Sequence, residues 1–241
     1  MRLVLVSLLW GSVVLGAERT PRIAWWVSHH DVPPPSSAPW RETAELPRLV
    51  LYDDGLVVVT DADGRSRSTT LPPEARGLMT AGGDAFLTLP DVVQGTRQMH
   101  PTVEVVTRWS GSTRKTVRFF GSVGQPNDRA LAPAPLLEAL DALAAFKDAT
   151  LTPYVPEQVV VRACPTDAAP TGAWPKGWPL PQSGSPVLER CFQHLLPERE
   201  RARAEGLSKK RAFAVVRHES SKWLVTLVRC ALPAEAAWAG R

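Results

Sequence analysis

The pattern of apolar and polar residues in the first half of the chain predicts β hairpins. Residues 48–52, apolar after Arg48, run up to an Asp-Asp-Gly turn at residues 53–55, and residues 56–60 form a second, mostly apolar run. A second acidic turn at residues 61–64 precedes residues 65–71, where Arg and Ser alternate as on an exposed edge strand. An Asp-Gly pair between two such runs is a strong local hairpin signal.

Other segments of the chain also have the alternation that is typical of β strands. In residues 102–109, a period of two places Val103, Val105 and Trp109 on one face. Further strands are predicted at residues 22–28, 115–120, 157–163 and 187–194, and a final hairpin is predicted to join residues 212–218 to 223–230.

Three segments have helical patterns. Residues 72–81 begin with two prolines, which suit the first turn of a helix, and two glycines follow them. Residues 135–147 repeat leucine at helical spacing, and residues 197–205 form a short charged segment. Strands and helices joined by short connections predict an α+β fold of antiparallel β hairpins with two or three packed helices, a pattern that can divide into two lobes.

The first 17 residues have the order that is typical of a secretory signal peptide. Arg2 precedes an apolar run at residues 3–15, and small residues follow this run. The pattern predicts cleavage after Ala17, with Gly16 as the alternative. It therefore predicts an exported protein, periplasmic or extracellular, with no transmembrane segment after cleavage, since no later stretch has the length of a membrane span.

Changes in composition divide the rest of the chain. A stretch rich in Pro at residues 33–40 predicts an extended linker after the first strand. The predicted division is a signal peptide (1–17), an N-terminal strand and Pro-rich linker (18–46), a first α+β lobe (47–148), a second α+β lobe with a loop rich in Pro and Trp (149–233) and a tail (234–241).

The composition fits a folded domain and argues against a nucleic-acid partner. Hydrophobic residues make up 44% of the 241 residues, an ordinary content for a globular protein. The formal net charge is only +4, and the basic residues are spread along the chain, whereas nucleic-acid-binding domains concentrate theirs on one surface.

The three cysteines predict one disulfide and one remaining thiol if the protein is exported. We expect Cys191 to pair with Cys230, because both lie in strand-like stretches of the C-terminal region. The sequence alone leaves all three pairings among Cys164, Cys191 and Cys230 open. Nothing near these cysteines in the sequence indicates a catalytic thiolate.

The segments "LYDDGLVVV", "HPTVEVVTRWSGSTRKTVRFFG" and "PAPLLEALDALAAF" occur in this order within residues 47–147. Their arrangement resembles a family of uncharacterised exported bacterial α+β domains, in which an x-L-Y-x-D-G-x-V hairpin precedes a helix, a second hairpin and another helix. The resemblance implies export and an α+β fold. It carries no activity to any residue of this chain.

Motifs for metal binding or catalysis are few. The acidic turns lack the bidentate glutamate that an EF-hand calcium loop needs, so we interpret them as turns. Adjacent His29 and His30 in an extended segment point to opposite sides and do not share one zinc ion. Residues 112–115 (Ser-Thr-Arg-Lys) match a serine–x–x–lysine pattern but lie at a predicted hairpin tip without its companion motifs. We expect no cofactor and no metal.

Trp174 and Trp178 are the candidate binding residues. On a loop stiffened by proline, two tryptophans either form an apolar platform for a sugar ring or a peptide, or cap the core of the domain. Residues 198–211 mix both charges and are interpreted as a solvated helix. The alternative for that segment is a patch that attracts anionic polymers or lipid.

These observations favour a non-catalytic exported domain that binds or scaffolds in the cell envelope or the extracellular space. Its expected partner is a cell-envelope glycan, peptide or protein. The alternative is an exported hydrolase whose site is assembled from distant residues such as His194, His218 and Glu219, because catalytic groups meet in space rather than in sequence order.

Overall fold

The computed structural model describes residues 19–29, 47–61, 65–96, 101–111, 113–187, 191–207 and 214–233. These residues form the predicted α+β fold, mostly strands in two sheets with a few short helices. The predicted signal peptide, the Pro-rich stretch and the tail lie outside the described residues. Within the described part of the chain, no helix has the length and apolar character of a membrane span.

The first sheet contains eight strands. They are β1 (Pro21–His29), β2 (Leu49–Tyr52), β3 (Leu56–Thr60), β4 (Ser66–Thr70), β5 (Val92–Gln94), β6 (Thr102–Ser110), β7 (Thr113–Phe120) and β8 (Thr152–Pro153). Their order across the sheet is β5-β7-β6-β1-β2-β3-β4-β8, and only the pairing of β5 with β7 is parallel. The N-terminal strand β1 therefore lies in the middle of the sheet, between β6 and β2.

The hairpins predicted on either side of the two acidic segments are observed, although residues 62–64 of the second segment lie outside the described residues. β2 pairs with β3, and the Asp54 carboxylate accepts a backbone N–H across the turn at 3.0 Å. Gly55 has a φ of +91°, and a Cβ at this position would lie 2.5 Å from the Leu71 carbonyl oxygen, so the turn requires glycine. β3 pairs with β4, and the Asp61 carboxylate accepts a backbone N–H at 2.9 Å.

Helices cover one face of the first sheet. Two 3₁₀ helices (Pro73–Thr80 and Asp84–Thr88) precede a short helix α1 (Pro126–Arg129) and the longer helix α2 (Ala134–Ala144). The segment after Pro72 is helical as predicted, but it forms a 3₁₀ helix that contains Gly77 and buries no side chain completely. The core between helices and sheet consists of Ile23, Leu49, Leu51, Val57, Leu71, Phe86, Val93, Val106, Val117, Phe119, Leu136, Ala139, Leu140 and Leu143.

The opposite face of the first sheet packs against a smaller apolar cluster. Its buried members are Ala24, Val50, Tyr52, Val58 and Leu232. Leu232 comes from the C-terminal end of the described chain. Close by, the Tyr154 hydroxyl donates a hydrogen bond to the Ala231 carbonyl oxygen at 3.2 Å. The chain after the last strand therefore returns to the first sheet.

β6 carries charged residues into the protein interior. Its predicted alternation is observed, and the face under the helices presents Glu104, Val106 and Arg108. Glu104 is only 3% exposed and accepts the Val123 N–H at 2.8 Å. Burial raises the pKa of the Glu104 carboxyl group, although the bond from Val123 opposes this rise. Arg108 donates to the Gly83 carbonyl oxygen, which partly satisfies its buried guanidinium.

The second sheet contains six strands. They are β9 (Gln158–Pro165), β10 (Gly172–Ala173), β11 (Ser185–Val187), β12 (Cys191–Pro197), β13 (Ala214–His218) and β14 (Ser221–Cys230), in the order β10-β13-β14-β9-β12-β11. A 3₁₀ turn (Glu198–Glu200) and the helix α3 (Arg201–Leu207) follow β12. The predicted final hairpin is confirmed as β13 and β14. The core of this sheet consists of Val159, Val161, Ala163, Trp178, Leu196, Ala204, Ala214, Val216, Trp223 and Val225.

The single strand predicted at residues 187–194 is wrong. The segment belongs to two antiparallel strands, β11 and β12, with Ser185 opposite Gln193. The chain therefore reverses direction between Val187 and Cys191. The sequence between these residues contains no Gly or Pro, which are the usual turn signals, so the local sequence does not predict the reversal.

The disulfide joins Cys164 to Cys191, with 4.2 Å between their Cα atoms, so the expected pairing of Cys191 with Cys230 is wrong. Antiparallel pairing of β9 with β12 places Cys164 beside Cys191. Cys230 instead lies opposite Val159, near the other end of β9. The five residue steps from Val159 to Cys164 span roughly 16 Å of strand, which is beyond the reach of a disulfide.

Replacing Cys164 with serine should lower the free energy of unfolding in urea. The disulfide spans a separation of 27 residues, and its loss frees the unfolded chain, at a cost of roughly 3 to 4 kcal/mol on the loop-entropy model. Cys230→Ser is the matched control and should leave the disulfide intact. Thiol labelling of the unfolded, unreduced protein should modify Cys230 alone; modification of Cys164 would contradict the observed pairing.

Candidate functional site

The loop between β9 and β11 is fixed to the second sheet by backbone hydrogen bonds. β10, within this loop, runs parallel to β13. On either side of it, the Thr171 N–H donates to the Val215 carbonyl oxygen and the Trp174 N–H donates to the Arg217 carbonyl oxygen, both at 2.7 Å. Because a packed sheet holds the loop, the side chains on this loop keep defined positions.

Trp178 caps the core of the second sheet. It is only 8% exposed, and its indole N–H donates to a carboxylate oxygen of Glu200 at 2.7 Å. Glu200 lies in the 3₁₀ turn before α3, so this bond joins the loop to the helical segment. A buried tryptophan with a partner for its N–H contributes to packing. Trp178 therefore takes the capping role and offers little surface to a ligand.

Trp174 is half-buried and lies at the centre of an aromatic cluster. Its indole N–H donates to the Pro179 carbonyl oxygen at 3.1 Å. Its ring makes edge contacts with Trp178, His194 and His218, at centroid distances of 5.7, 6.0 and 6.3 Å. The structure thus brings the predicted binding residues together with two of the histidines considered for a hydrolase.

His194 is buried in its neutral form. Its side chain is 4% exposed, and its Nε2 lies 2.8 Å from the Pro181 carbonyl oxygen. A carbonyl oxygen only accepts hydrogen bonds, so the proton lies on Nε2. Burial lowers the pKa of His194, and the bond to Pro181 opposes this effect. A Cβ at Gly184 would lie 2.9 Å from the His194 ring, so the chain also approaches this side chain closely.

The histidines do not form a catalytic pair in the described residues. His218 ends β13 and contacts Trp174, whereas Glu219 lies in the exposed turn that follows, with a φ of +54°. Within the described part of the chain, no hydrogen bond joins His194 or His218 to a serine, a cysteine or a carboxylate. No three His, Cys, Asp or Glu side chains among these residues are grouped to hold a metal ion.

Trp174 and its neighbours form a surface that we name the Trp174 surface, made of Trp174, Leu180 and His218. Leu180 is 51% exposed, although it is a large apolar residue. The carbonyl oxygen of Pro179, the residue before it, accepts the Trp174 N–H. This bond holds Leu180 at the same end of the loop as Trp174. A half-exposed indole ring and an exposed leucine on the same loop suit a partly apolar ligand.

Three other sequence motifs have structural roles or lie outside the described residues. His29 ends β1, and His30 is outside the described residues. Of the Ser-Thr-Arg-Lys segment, Ser112 is outside the described residues, and Thr113 begins β7 opposite Ser110, at the predicted hairpin end; Lys115 forms an ion pair with Asp91 at 2.6 Å. In the charged segment, Arg201 forms ion pairs with Glu198 and Glu205. These i,i+3 and i,i+4 pairs agree with the predicted solvated helix.

A small cavity of about 60 Å³ lies where the two sheets connect. Its lining includes Arg19, Tyr154, Val155, Glu157, Gln158 and residues 231–233. It does not include any residue of the Trp174 surface.

Comparison with known proteins identifies no relative, so the function is argued from the fold and from these contacts. No protein family, curated protein or solved structure that was compared with the chain matches it.

Two parts of this site were not predictable from local sequence. His194 and His218 meet Trp174 because β12 and β13 bring them to the same face of the second sheet, although the three residues are far apart in the chain. Glu200 binds Trp178 through a turn whose position follows from the end of β12. For the contact between Glu200 and Trp178, the local sequence indicates only that the indole N–H of a buried tryptophan requires a hydrogen-bond partner.

His194→Gln should make stability less dependent on pH. The folded-state pKa of His194 lies below its ordinary value of 6.5, so the neutral side chain contributes stability above that pH, and this contribution is lost as the pH falls. Denaturant unfolding at pH 7.5 and 5.5 measures the effect. The wild-type protein should lose more stability than the variant over this interval. An equal loss in both proteins would contradict the neutral, buried state of His194.

Proposed function

We propose that this protein is a non-catalytic exported domain that binds a glycan or peptide of the cell envelope or extracellular space through the Trp174 surface. The fixed, half-exposed ring of Trp174 is the observation that carries the proposal. Aromatic rings held in one orientation bind the apolar face of a sugar or a peptide side chain with little loss of conformational freedom.

Two further features support the proposed export of the protein. The order of charge, apolar run and small residues in residues 1–17 predicts export. The Cys164–Cys191 disulfide agrees with an oxidising compartment, where such bonds persist. Neither feature identifies the ligand, so the test uses insoluble cell-wall material as the probe.

A hydrolase is the second candidate, because Trp174 contacts both His194 and His218. A general base must reach a nucleophile or a substrate proton by a hydrogen bond. The proton of His194 is engaged by Pro181, and the ring is buried. The geometry therefore favours binding over catalysis at this site.

Trp174→Ala should weaken retention of the full chain on insoluble peptidoglycan by roughly tenfold, the value expected for loss of one aromatic contact of about 1.4 kcal/mol. Trp174→Phe is the matched control, because it keeps a ring, and it should retain most of the binding. Trp178→Phe should lower stability and leave the binding of the folded protein unchanged. Retention is measured by co-sedimentation.

Two results would contradict this proposal. Unchanged retention of Trp174→Ala would exclude the Trp174 surface as the contact. Release of soluble wall fragments by the wild-type protein, abolished in His218→Ala, would establish the hydrolase instead. Both assays use the same material, so binding and cleavage are separated in one experiment.

A further inference from the structure

The first sheet has a basic and aromatic surface on the side away from its helices. We name it the arginine–tryptophan face. Its members lie on β1, β6 and β7 and are Arg22, Trp26, Trp109, Arg114, Arg118 and Phe120. None of them belongs to the second sheet, which carries the Trp174 surface, so this inference is independent of the proposed function.

The register of the strands places these side chains together. Trp109 lies opposite Arg114. Val105 lies opposite Arg118 on one side and opposite Trp26 on the other. Residues that are directly opposite in antiparallel strands share a face. Phe120 follows from alternation along β7 and lies opposite Val103. Arg22 lies at the register irregularity near the start of β1, next to Pro21, which is opposite Tyr52 of the same face.

The long side chains of this face stand above packed strands. Arg114 and Arg118 are exposed. Val92, opposite Arg118 on the edge strand β5, is 53% exposed. Beneath them, Val103 and Thr107 are only 3% and 1% exposed. The guanidinium groups are therefore accessible, while the sheet that supports them is rigid.

Arg114 is held in place before any ligand binds. Its guanidinium carbon lies 5.9 Å from the centre of the Trp109 ring, within the range of a cation–π contact. A stacked guanidinium keeps its N–H donors at its edge, where they can bind a carboxylate through two hydrogen bonds. This contact favours a position of the guanidinium over the ring, which reduces the entropy that is lost on binding.

The face has no acidic residues to neutralise its arginines. The positions of β1, β5, β6 and β7 that share this face contain no Asp or Glu. Within the described residues, no ion pair joins Arg22, Arg114 or Arg118 to an acid. Asp91, beside β5, forms an ion pair with Lys115 and is also attracted electrostatically by Arg118. One shared carboxylate does not balance three arginines, so the face keeps a net positive charge.

We propose that the arginine–tryptophan face binds a polysaccharide that carries carboxylate groups along its chain. Arg114 and Arg118 are four residues apart, about 13 Å along β7, and Arg22 lies two strands away, roughly 10 Å. Charges at this spacing match repeated anionic groups on a polymer better than one small anion. The half-buried ring of Phe120 gives the sugar rings an apolar contact, and Trp26 packs against the apolar cluster that supports this face.

The side chains favour a polymer over an anionic membrane. A membrane-binding surface inserts protruding apolar side chains below the headgroups. Here the aromatic members are half-buried, and Arg114 covers the ring of Trp109. Val92 is the exposed large apolar residue beside the arginines. The surface thus presents charge above a closed apolar layer.

The test compares two double variants of the full chain that lose the same charge. Arg114→Gln with Arg118→Gln removes two members of the face. Arg65→Gln with Arg67→Gln removes two exposed arginines at β4, near the opposite edge of the same sheet. With polygalacturonate as the probe at 50 mM salt, the first double variant should bind about tenfold more weakly than the wild-type chain, and the second should bind within about twofold.

Each outcome of this experiment decides the proposal. Equal weakening in both double variants would show binding by overall charge and would overturn the proposal. The proposal would also be overturned if the wild-type chain did not bind polygalacturonate. Stronger binding to phosphatidylglycerol vesicles or to DNA than to polygalacturonate would overturn it as well. Neutral dextran should not bind. Trp174→Ala should bind polygalacturonate as the wild type does, which separates this surface from the Trp174 surface.

Discussion

The antiparallel pairing of β1 with β6 determines how the two faces of the first sheet differ. It joins segments that are far apart in the chain, from Ile23 opposite Arg108 to His29 opposite Thr102. A shift of one residue would move every side chain of β1 to the opposite face. With the observed register, Ile23 enters the core under the helices, and Trp26 joins the arginine–tryptophan face. One pairing therefore sets both the stability and the surface chemistry of this sheet.

In β9 of the second sheet, alternation also directs successive side chains to faces with different roles. Val161 and Ala163 enter the core with Trp178, whereas Cys164 points to the other side and forms the disulfide with Cys191. The disulfide ties β9 to β12, and His194 on β12 supports Trp174 from the core side. The position of the Trp174 surface thus depends on covalent and apolar contacts behind it. This arrangement explains how a loop with little regular structure presents one fixed aromatic ring.

Local signals predicted local structure, and contacts between distant segments were not predictable. The Asp54-Gly55 turn follows from backbone geometry at one or two residues, since Gly55 has a positive φ. The disulfide partner of Cys191 depends on the order of strands, which brings β9 rather than β14 beside β12. The burial of Glu104 has no sequence signal, because alternation shows two faces without showing which one the helices cover. Trp174 and Trp178 were found from composition, but their different roles depend on which indole reaches Glu200.

Paired-cysteine crosslinking across β1 and β6 tests the central register most directly. Ala24 lies opposite Thr107, so Ala24→Cys with Thr107→Cys, made together with Cys230→Ser, should form a disulfide that peptide mapping detects in the folded protein. The pair shifted by one residue, Ala24→Cys with Val106→Cys, should remain as free thiols. A disulfide in the shifted pair and none in the first would contradict the register and, with it, the assignment of the arginine–tryptophan face.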